Sequence, residues 1–420
     1  VTAPPSAPTA HTPGAHPERR TGIVAPPRLS RARTAVAEHI VRHALARLPL
    51  RVRLTAAEDI GLGGPLMDIR DPGAFFRRIG ASGLIGFGES YMAGEWDAPD
   101  LVGVLTVLAD HAADLVPRPL QRLRGVWAPR RPAAQLNTPE GSRDNISHHY
   151  DLSNDLFALF LDTTLSYSSA VFRGFPAEHD LLPAAQHRKI DRLLDAAGVG
   201  RGTRLLEIGT GWGELAIRAA ARGARVVTVT LSAEQRELAR ARVRDAGLAD
   251  RVEVRLSDYR HVTGDYDAIV SVEMVEAVGE EFWPVYFQTL DRLLAPGGRI
   301  ALQVITMPDD RLRASRSTYT WIQKYIFPGG LLPSTEAVER VTAAHTRLRT
   351  TERVRFGAHY AETLRLWRER FAERAAEVED LGFDAVFRRM WTFYLAYSEA
   401  GFRSGYLDVQ QLLLTREETA

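Results

Sequence analysis

Between residues 203 and 305 the chain alternates short apolar runs with longer polar segments of helical period. The runs TRLLEIG (203–209), ARVVTVT (224–230), RVEVRLS (251–257), YDAIVSV (266–272) and RIALQVI (299–305) are dense in Val, Ile and Leu and predict strands. Strands separated by helices give a mostly parallel sheet covered on both faces, an α/β fold. The turn LAPGGR (294–299) ends a helix before the last run, with Pro and Gly where a stop belongs. Upstream, Val36, Ile40, Val41, Ala44, Leu45 and Leu48 recur at helical spacing, flanked by Arg31, Arg33, Arg42 and Arg47. That helix reads either as a packing helix with a solvated basic face or as one drawn to anionic lipid headgroups. Residues 50–110 hold short strand-like and turn-like pieces, including GASGLIGFGESYMAGEW. Residues 306–400 read as largely helical, rich in Trp, Tyr and Phe, and predict a cap over the sheet edge.

Length and composition divide the molecule. A chain of 420 residues is too long for one ordinary core and predicts two domains. Residues 1–27, rich in Pro, Ala, Thr and Ser, cannot bury enough apolar surface to offset ordering entropy and read as a disordered tail. A Pro/Arg-rich stretch from Val116 to Pro132 reads as a connector, with Trp127 placed to touch a membrane surface. The expected organisation is therefore the tail, a smaller N-terminal α+β domain over 28–135, and a larger domain over 136–420 whose helical cap spans about 306–400. A net charge of +1 gives no global field for nucleic acid. The absence of cysteine excludes disulfides, thiolate zinc sites, iron–sulfur clusters and cysteine nucleophiles. No apolar run reaches the ~18 residues of a membrane span, and the N-terminus has no apolar signal segment, so a cytoplasmic location is expected. The basic residues are nearly all Arg; Lys189 and Lys324 are the only lysines, which reads as genome composition rather than mechanism.

The sharpest local signal is LLEIGTGWGELA (205–216). A strand runs into Gly209, Gly211 and Gly213 and then a helix, and glycines there allow a tight turn and close approach of backbone to a ligand. The spacing is not that of the dinucleotide fingerprint, and no Lys-Ser/Thr follows, which excludes a phosphate-binding loop. A glutamate before the first glycine is typical of S-adenosylmethionine sites. The second strand ends without an acid, in VTLSAEQ, where Thr230 and Gln235 stand; the Gln235 amide can bond ribose hydroxyls. The third ends in Ser257-Asp258-Tyr259. Asp258 reads either as the acceptor of an adenine amino group or as a helix cap, and Tyr259 as a cover for the ring.

Spread in order over residues 145–410 are NISHHYDLSNDLF, LSYSSAVF, LLEIGTGWG, VTLSAEQ, SDYR, SVEMVEAVG, YIFPGG, HYAETLRLW and GYLDVQQ. Together they resemble the cyclopropane-fatty-acyl-phospholipid synthase family, which includes mycolic acid cyclopropane synthases and mid-chain fatty acid methyltransferases. The segment GFGESYMAGEWDAPDL (86–101) resembles the N-terminal domain of the longer members, which act on intact phospholipids. The resemblance implies a Rossmann-like S-adenosylmethionine-dependent methyltransferase domain with a helical cap. It implies cofactor contacts by Tyr167, Ser168, Gly209, Gly211, Thr230, Leu231, Gln235, Asp258 and Tyr259, and a bicarbonate ion serving as base. The ligands of that ion map to Ser169, Glu276, Gln303, Ile305 and Tyr360. Ser169 stands where Cys is usual, Gln303 where His is common, and Ala277 also replaces a common His; Ser169 keeps its backbone as a contact. His148 and His149 lack a third ligand and are read as structural or cofactor-lid residues, so no metal is expected.

The implied chemistry makes demands. An alkene is a poor nucleophile, attack on a sulfonium methyl leaves a cation on the chain, and water must be kept from it. Aromatic faces stabilise such a cation by ~0.5–2 kcal/mol each. Tyr319, Trp321, Tyr325, Phe327, Trp367, Trp391, Tyr394 and Tyr397 are the candidates, each with core packing as its alternative. One proton must then leave, and Glu276 and Tyr360 are expected to orient the base, so Glu276→Gln is expected to cut turnover strongly. Ring closure gives a cyclopropane; a hydride shift first gives an exocyclic methylene that a partner reductase would convert to a methyl branch. The SVEMVEAVG and ALQVIT wording resembles actinobacterial members that make the methylene precursor of tuberculostearic acid, and that product is the expectation. The implied partners are unsaturated phospholipid acyl chains, a membrane surface bound peripherally, that reductase and a second copy in a homodimer. Methylation of a small-molecule oxygen or nitrogen and non-catalytic lipid binding are the competing readings; the first leaves the N-terminal module unexplained, and the intact EIGTGWG argues against the second.

Overall fold

The computed structural model describes residues 25–55, 58–112, 132, 153–316 and 318–417. The readings made for most of the N-terminal tail, for the Pro/Arg-rich connector, for the domain boundary near residue 135 and for His148 and His149 lie outside the described residues.

The N-terminal part is α+β. Helix α1 (Arg31–Leu45) leads to strands β1 (Arg51–Thr55), β2 (Glu58–Ile60) and β3 (Leu66–Ile69), then α2 (Pro72–Ser82), α3 (Leu84–Met92), β4 (Trp96–Asp97) and α4 (Leu101–Asp110). The strands pair in the order β2-β1-β3-β4. Ser30, Asp71 and Asp100 cap α1, α2 and α4, each accepting from an amide three residues on that the helix itself cannot satisfy.

After α5 (Asn154–Phe160) and α6 (Leu182–Ala196) comes the α/β unit: β5 (Arg204–Ile208), α7 (Glu214–Ala221), β6 (Arg225–Thr230), α8 (Ala233–Asp245), β7 (Val252–Leu256), β8 (Tyr266–Val272), α9 (Trp283–Leu293) and β9 (Leu294–Thr306). Then follow α10 (Asp309–Ser315), α11 (Trp321–Tyr325), α12 (Thr335–His345), β10 (Leu348–Arg355), α13 (Gly357–Glu373), α14 (Ala375–Asp380), α15 (Ala385–Arg403) and β11 (Asp408–Arg416). The large sheet runs β10-β11-β9-β8-β5-β6-β7. β5 is parallel to β6 and β8, and β11 returns antiparallel between β9 and β10. The order reverses beside β5, where β6 lies on one side and β8 on the other, and that switch point is where open sheets of this kind bind ligands.

All five predicted runs are strands. Two features differ from the sequence reading. β9 begins at Leu294, so LAPGG opens the strand; Leu294 pairs with Tyr266 before a register shift, and Gly297 at φ 71 absorbs the extra residues. The region beyond 306 is also not wholly helical, because β10 and, further on, β11 extend the sheet. β10 is a polar edge strand with little apolar signal. β11 is buried from Val409 to Leu414 on both faces, so it lacks alternation.

The N-terminal part and the cap share a core. One apolar cluster runs from Leu45, Phe75 and Trp96 through Trp321 to Trp391 and Phe402. The Phe393 ring lies 5.3 Å from Tyr91 and 4.8 Å from Trp321. Polar contacts join the same faces. Arg389 donates to the carbonyls of Tyr91 and Trp96, while Lys324 Nζ and Tyr325 OH both bond Glu89 Oε1, at 2.6 and 2.8 Å. Each large ring buried here contributes roughly 1.5–3 kcal/mol, so the N-terminal part stabilises the cap as well as itself.

Candidate active site

At the end of β5 the chain turns through Gly209, Thr210 and Gly211 into α7. Gly209 has φ 99, and a Cβ there would lie 2.8 Å from the Met274 side chain. Gly211 has φ 50, and a Cβ there would meet nothing within 4 Å, so it would enter the open space above the strand ends. Gly213 departs from the sequence expectation. It does not line that space; a Cβ would press on Ala239 at 3.2 Å, so this glycine serves the packing of α7 against α8.

Tyr167, Ser168, Thr230, Leu231, Gln235, Ser257, Asp258 and Tyr259 all line the cavity around this turn. Thr230 Oγ1 donates to Gln235 Oε1 at 2.9 Å, which fixes the amide. Asp258 plays the cap role that was its alternative: its carboxylate accepts from the Arg260 amide at 2.9 Å and from the guanidinium at 2.6 Å. Burial alone would raise the proton affinity of Asp258, but Arg260 outweighs it and holds the acid below the ordinary range. A carboxylate has about four acceptor sites, so capacity for an amino group remains. Tyr167 OH lies 2.7 Å from Tyr394 OH, tying the cofactor loop to the cap.

Two buried ionisable groups lie beside the turn. Glu207, the acid before Gly209, is buried with Oε2 unpartnered, and burial pushes it up to about 8. Lys189 is fully buried on α6, donates to Ser168 Oγ at 2.6 Å, and burial pulls it down to about 8 despite the nearby Glu273, Asp162 and Glu207. A lysine, one of two in an arginine-rich chain, places a compact ammonium rather than a guanidinium at this buried position.

Of the five residues expected around the base, Ser169, Gln303 and Tyr360 converge on Glu273, and Ile305 bonds Glu276. The Ser169 amide donates to Glu273 Oε1 at 3.0 Å, Gln303 Nε2 to the same oxygen at 2.8 Å, and Tyr360 OH to Glu273 Oε2 at 2.7 Å. The Ile305 amide donates to Glu276 Oε1 at 2.5 Å, and Glu276 Oε2 is buried without a partner. Burial, then the Glu273 charge, pushes Glu276 up to about 8. Burial also raises Glu273, against the opposing pull of Gln303, Lys189, Ser169 and Tyr360. These residues do not fit a bicarbonate ion. Three of its five expected ligands are spent on the Glu273 carboxylate, and a second anion would sit against that charge in a dry site. At position 169 it is the backbone amide that makes the contact.

From this centre an apolar cavity of about 1050 Å³ extends outward. Tyr319, Trp321, Phe327, Tyr394 and Tyr397 line it; Trp367 and Trp391 are fully buried packing residues, and Tyr325 is held by Glu89. The far end is walled by Val36, Ile40, Leu84, Leu105 and Leu108 of the N-terminal helices. The apolar stripe of α1 therefore faces the cavity. No helix among the described residues is long and apolar enough to cross a membrane.

Residues 138–412 match the family described as mycolic acid cyclopropane synthetase. The tuberculostearic acid methyltransferase UfaA1 of Mycobacterium tuberculosis is 56% identical over 396 residues, 93% of either chain. The cyclopropane-fatty-acyl-phospholipid synthase of Escherichia coli K12 is 33% identical over 90% of this chain and 93% of its own. Among solved structures, the cyclopropane synthase MmaA2 from Mycobacterium tuberculosis superposes with a TM-score of 0.60 at 32% identity, covering 65% of this chain and 97% of that one. Mycolic acid cyclopropane synthase CmaA1 complexed with SAH and CTAB gives 0.59 at 32% identity, over the same shares.

Proposed function

The chain belongs to the mycolic acid cyclopropane synthetase family, and from that premise we propose that it methylates the cis double bond of an unsaturated fatty acyl chain in a phospholipid, giving a mid-chain methylene product. The observation that carries this reading is the continuous apolar cavity joining the glycine turn of β5 to the N-terminal helices. Its volume of about 1050 Å³ lies at the upper end of the ~300–1,000 Å³ of ordinary small-molecule pockets. Its largely apolar lining suits an acyl chain better than a small polar substrate. The similarity to UfaA1 over 93% of the chain supports the methylene product.

S-adenosylmethionine, when bound, supplies an electrophilic methyl on a sulfonium. The residues present fit it: Gly211 leaves room at the switch point, and the unpartnered Glu207 oxygen offers an acceptor at the strand end. Gln235, Asp258 and Tyr259 lie where the nucleoside would rest. The chain's own contribution is to hold the alkene in a water-poor space and to stabilise the cation formed on it. Tyr167, Trp321, Phe327 and Tyr394 present ring faces or edges along the cavity, and a desolvated ring face contributes up to ~2 kcal/mol toward a neighbouring cation. A hydride then shifts from the methyl-bearing carbon to the neighbouring cationic carbon, and a proton leaves the added carbon to a base beside the cavity. Access is from a membrane surface bound peripherally, through the end walled by α1, α2 and α4, and a reductase acting on alkenes would consume the product.

The test compares oleoyl phospholipid vesicles, free oleate and an oleoyl thioester as acceptors with the purified protein. One-carbon extension of the phospholipid-bound chain at the highest rate is expected. Faster extension of the free acid or thioester would overturn the phospholipid assignment.

A further inference from the structure

We infer that the side-chain carboxylate of Glu273 is the base that takes the proton, so that the chain carries within its own sequence the anion expected as bicarbonate. The inference rests on the acyl-methylation reading above. Glu273 lines the cavity, whereas Ser169 and Gln303 stand behind it and reach it through hydrogen bonds.

Three observations converge. The first is the donor set: an amide, a primary amide nitrogen and a phenol all point at one carboxylate. Such a ring of donors favours the carboxylate against the burial that raises Glu273, and one of about four acceptor sites remains on Oε2 to receive a proton. The second is that the donors are themselves oriented. Gln411 Nε2 donates to Gln303 Oε1 at 3.0 Å and Arg192 to Gln411 Oε1 at 2.5 Å, so the Gln303 amide is turned with its nitrogen toward Glu273. The third is backbone strain. Glu273 has φ 54, in the left-handed region that favours glycine, a conformation that side chains hold at a cost and that clusters at functional sites. Nearby Glu276 keeps one oxygen unpartnered, which suits a neutral acid beside an ionised neighbour.

The step balances without another reactant. Once a hydride has shifted so that the cation lies on the methyl-bearing carbon, a C–H bond of the added carbon breaks, its electron pair becomes the π bond of the exocyclic double bond, and the proton passes to Glu273. The cation is discharged, and the carboxylic acid returns its proton to water after product leaves.

The experiment uses the purified full chain, oleoyl phospholipid vesicles and S-adenosylmethionine in buffer stripped of carbon dioxide, with and without added bicarbonate. Wild-type turnover is expected to be the same in both. Glu273→Gly, which suits the backbone and empties the site, is expected to lose about 100-fold or more in turnover, the usual scale of a lost general base. It is expected to recover with bicarbonate and to keep its calorimetric affinity for S-adenosylhomocysteine. Carbon-13 bicarbonate is expected to show a bound NMR signal with the variant and none with wild type. Wild-type turnover that collapses without bicarbonate, or a bound bicarbonate signal in wild type, would overturn the inference while leaving acyl methylation standing. Unmodified lipid in both buffers would remove the reaction itself.

Discussion

At the scale of single residues, two buried carboxylates a turn apart divide their roles by their hydrogen bonds. Glu273 is surrounded by donors, whereas Glu276 has one, the Ile305 amide, and burial pushes it up to about 8. Burial thus favours the protonated form of Glu276 near neutral pH, and glutamine reproduces both the acceptor and the donor of that form. Glu276→Gln is accordingly expected to lower turnover at pH 7 by less than about tenfold, well below the ~100-fold or greater loss expected for Glu273→Gln. Equal losses in the two variants, measured on the same vesicles, would contradict this division and restore the stronger role the sequence suggested for Glu276. A stability signature goes with it. The carboxyl's value is 4.5 when unperturbed and about 8 in the folded chain. Between those values the folded state holds the extra proton, so this group's contribution to stability falls as pH rises through that window. Glu276→Gln removes the loss. It is expected to match wild type in melting temperature near pH 5 and to exceed it near pH 9 by at least ~2 °C; an unchanged difference across that range would show that Glu276 does not titrate there. Gly211 gives a third prediction. Alanine there costs ~1 kcal/mol of stability at positive φ, but its methyl enters the cofactor space. Affinity for S-adenosylhomocysteine is expected to fall by more than the melting temperature accounts for, and a proportionate loss of both would remove Gly211 from the site.

At the scale of elements, the seam between α3 and the cap decides whether the cavity has walls. A Cβ on Gly88 would lie 2.5 Å from Trp321 Cδ1, so α3 and α11 touch through a glycine. Gly88→Ala must push the Trp321 ring aside, and overpacking of this kind costs roughly 1–3 kcal/mol. A lowered melting temperature and a larger loss on lipid substrate than in cofactor affinity are expected. Equal lipid turnover would show that the Trp321 wall is not needed. What the sequence disclosed follows from the same physics. The five strands of the α/β unit were legible because each is a compact apolar run between turn signals. β10 and β11 were not: an exposed edge strand such as β10 carries polar residues, and Gln410 and Gln411 interrupt the apolar run of β11 because their amides bond across strands. Ser169, Gln303 and Tyr360, marked by the resemblance, come together around Glu273. Glu273 was passed over because a carboxylate within SVEMVEAVG has no periodicity or spacing that sets it apart; only the three donors folded around it do.

At the scale of the whole molecule, the N-terminal part cannot be treated as a detachable accessory. The aromatic cluster that contains Trp96 and Tyr91 also contains Trp321, Phe393 and Trp391, and residues of α1, α2, α3 and α4 line the cavity. Deleting residues 1–130 uncovers that cluster. The shortened chain is expected to aggregate or to melt well below the full chain, beyond any loss of activity on vesicles; a soluble fragment of unchanged melting temperature would show that the larger domain closes its own core. The central claim is that the cavity delivers an unsaturated acyl chain to an activated methyl and that the product leaves as an alkene. The most direct measurement is an NMR spectrum of lipid extracted after incubation with oleoyl phospholipid vesicles and S-adenosylmethionine carrying a carbon-13 methyl. Label in a vinylic methylene is the predicted result. Label in an upfield ring methylene would contradict the product assignment, and unlabelled lipid from a protein that binds the cofactor would contradict the claim itself.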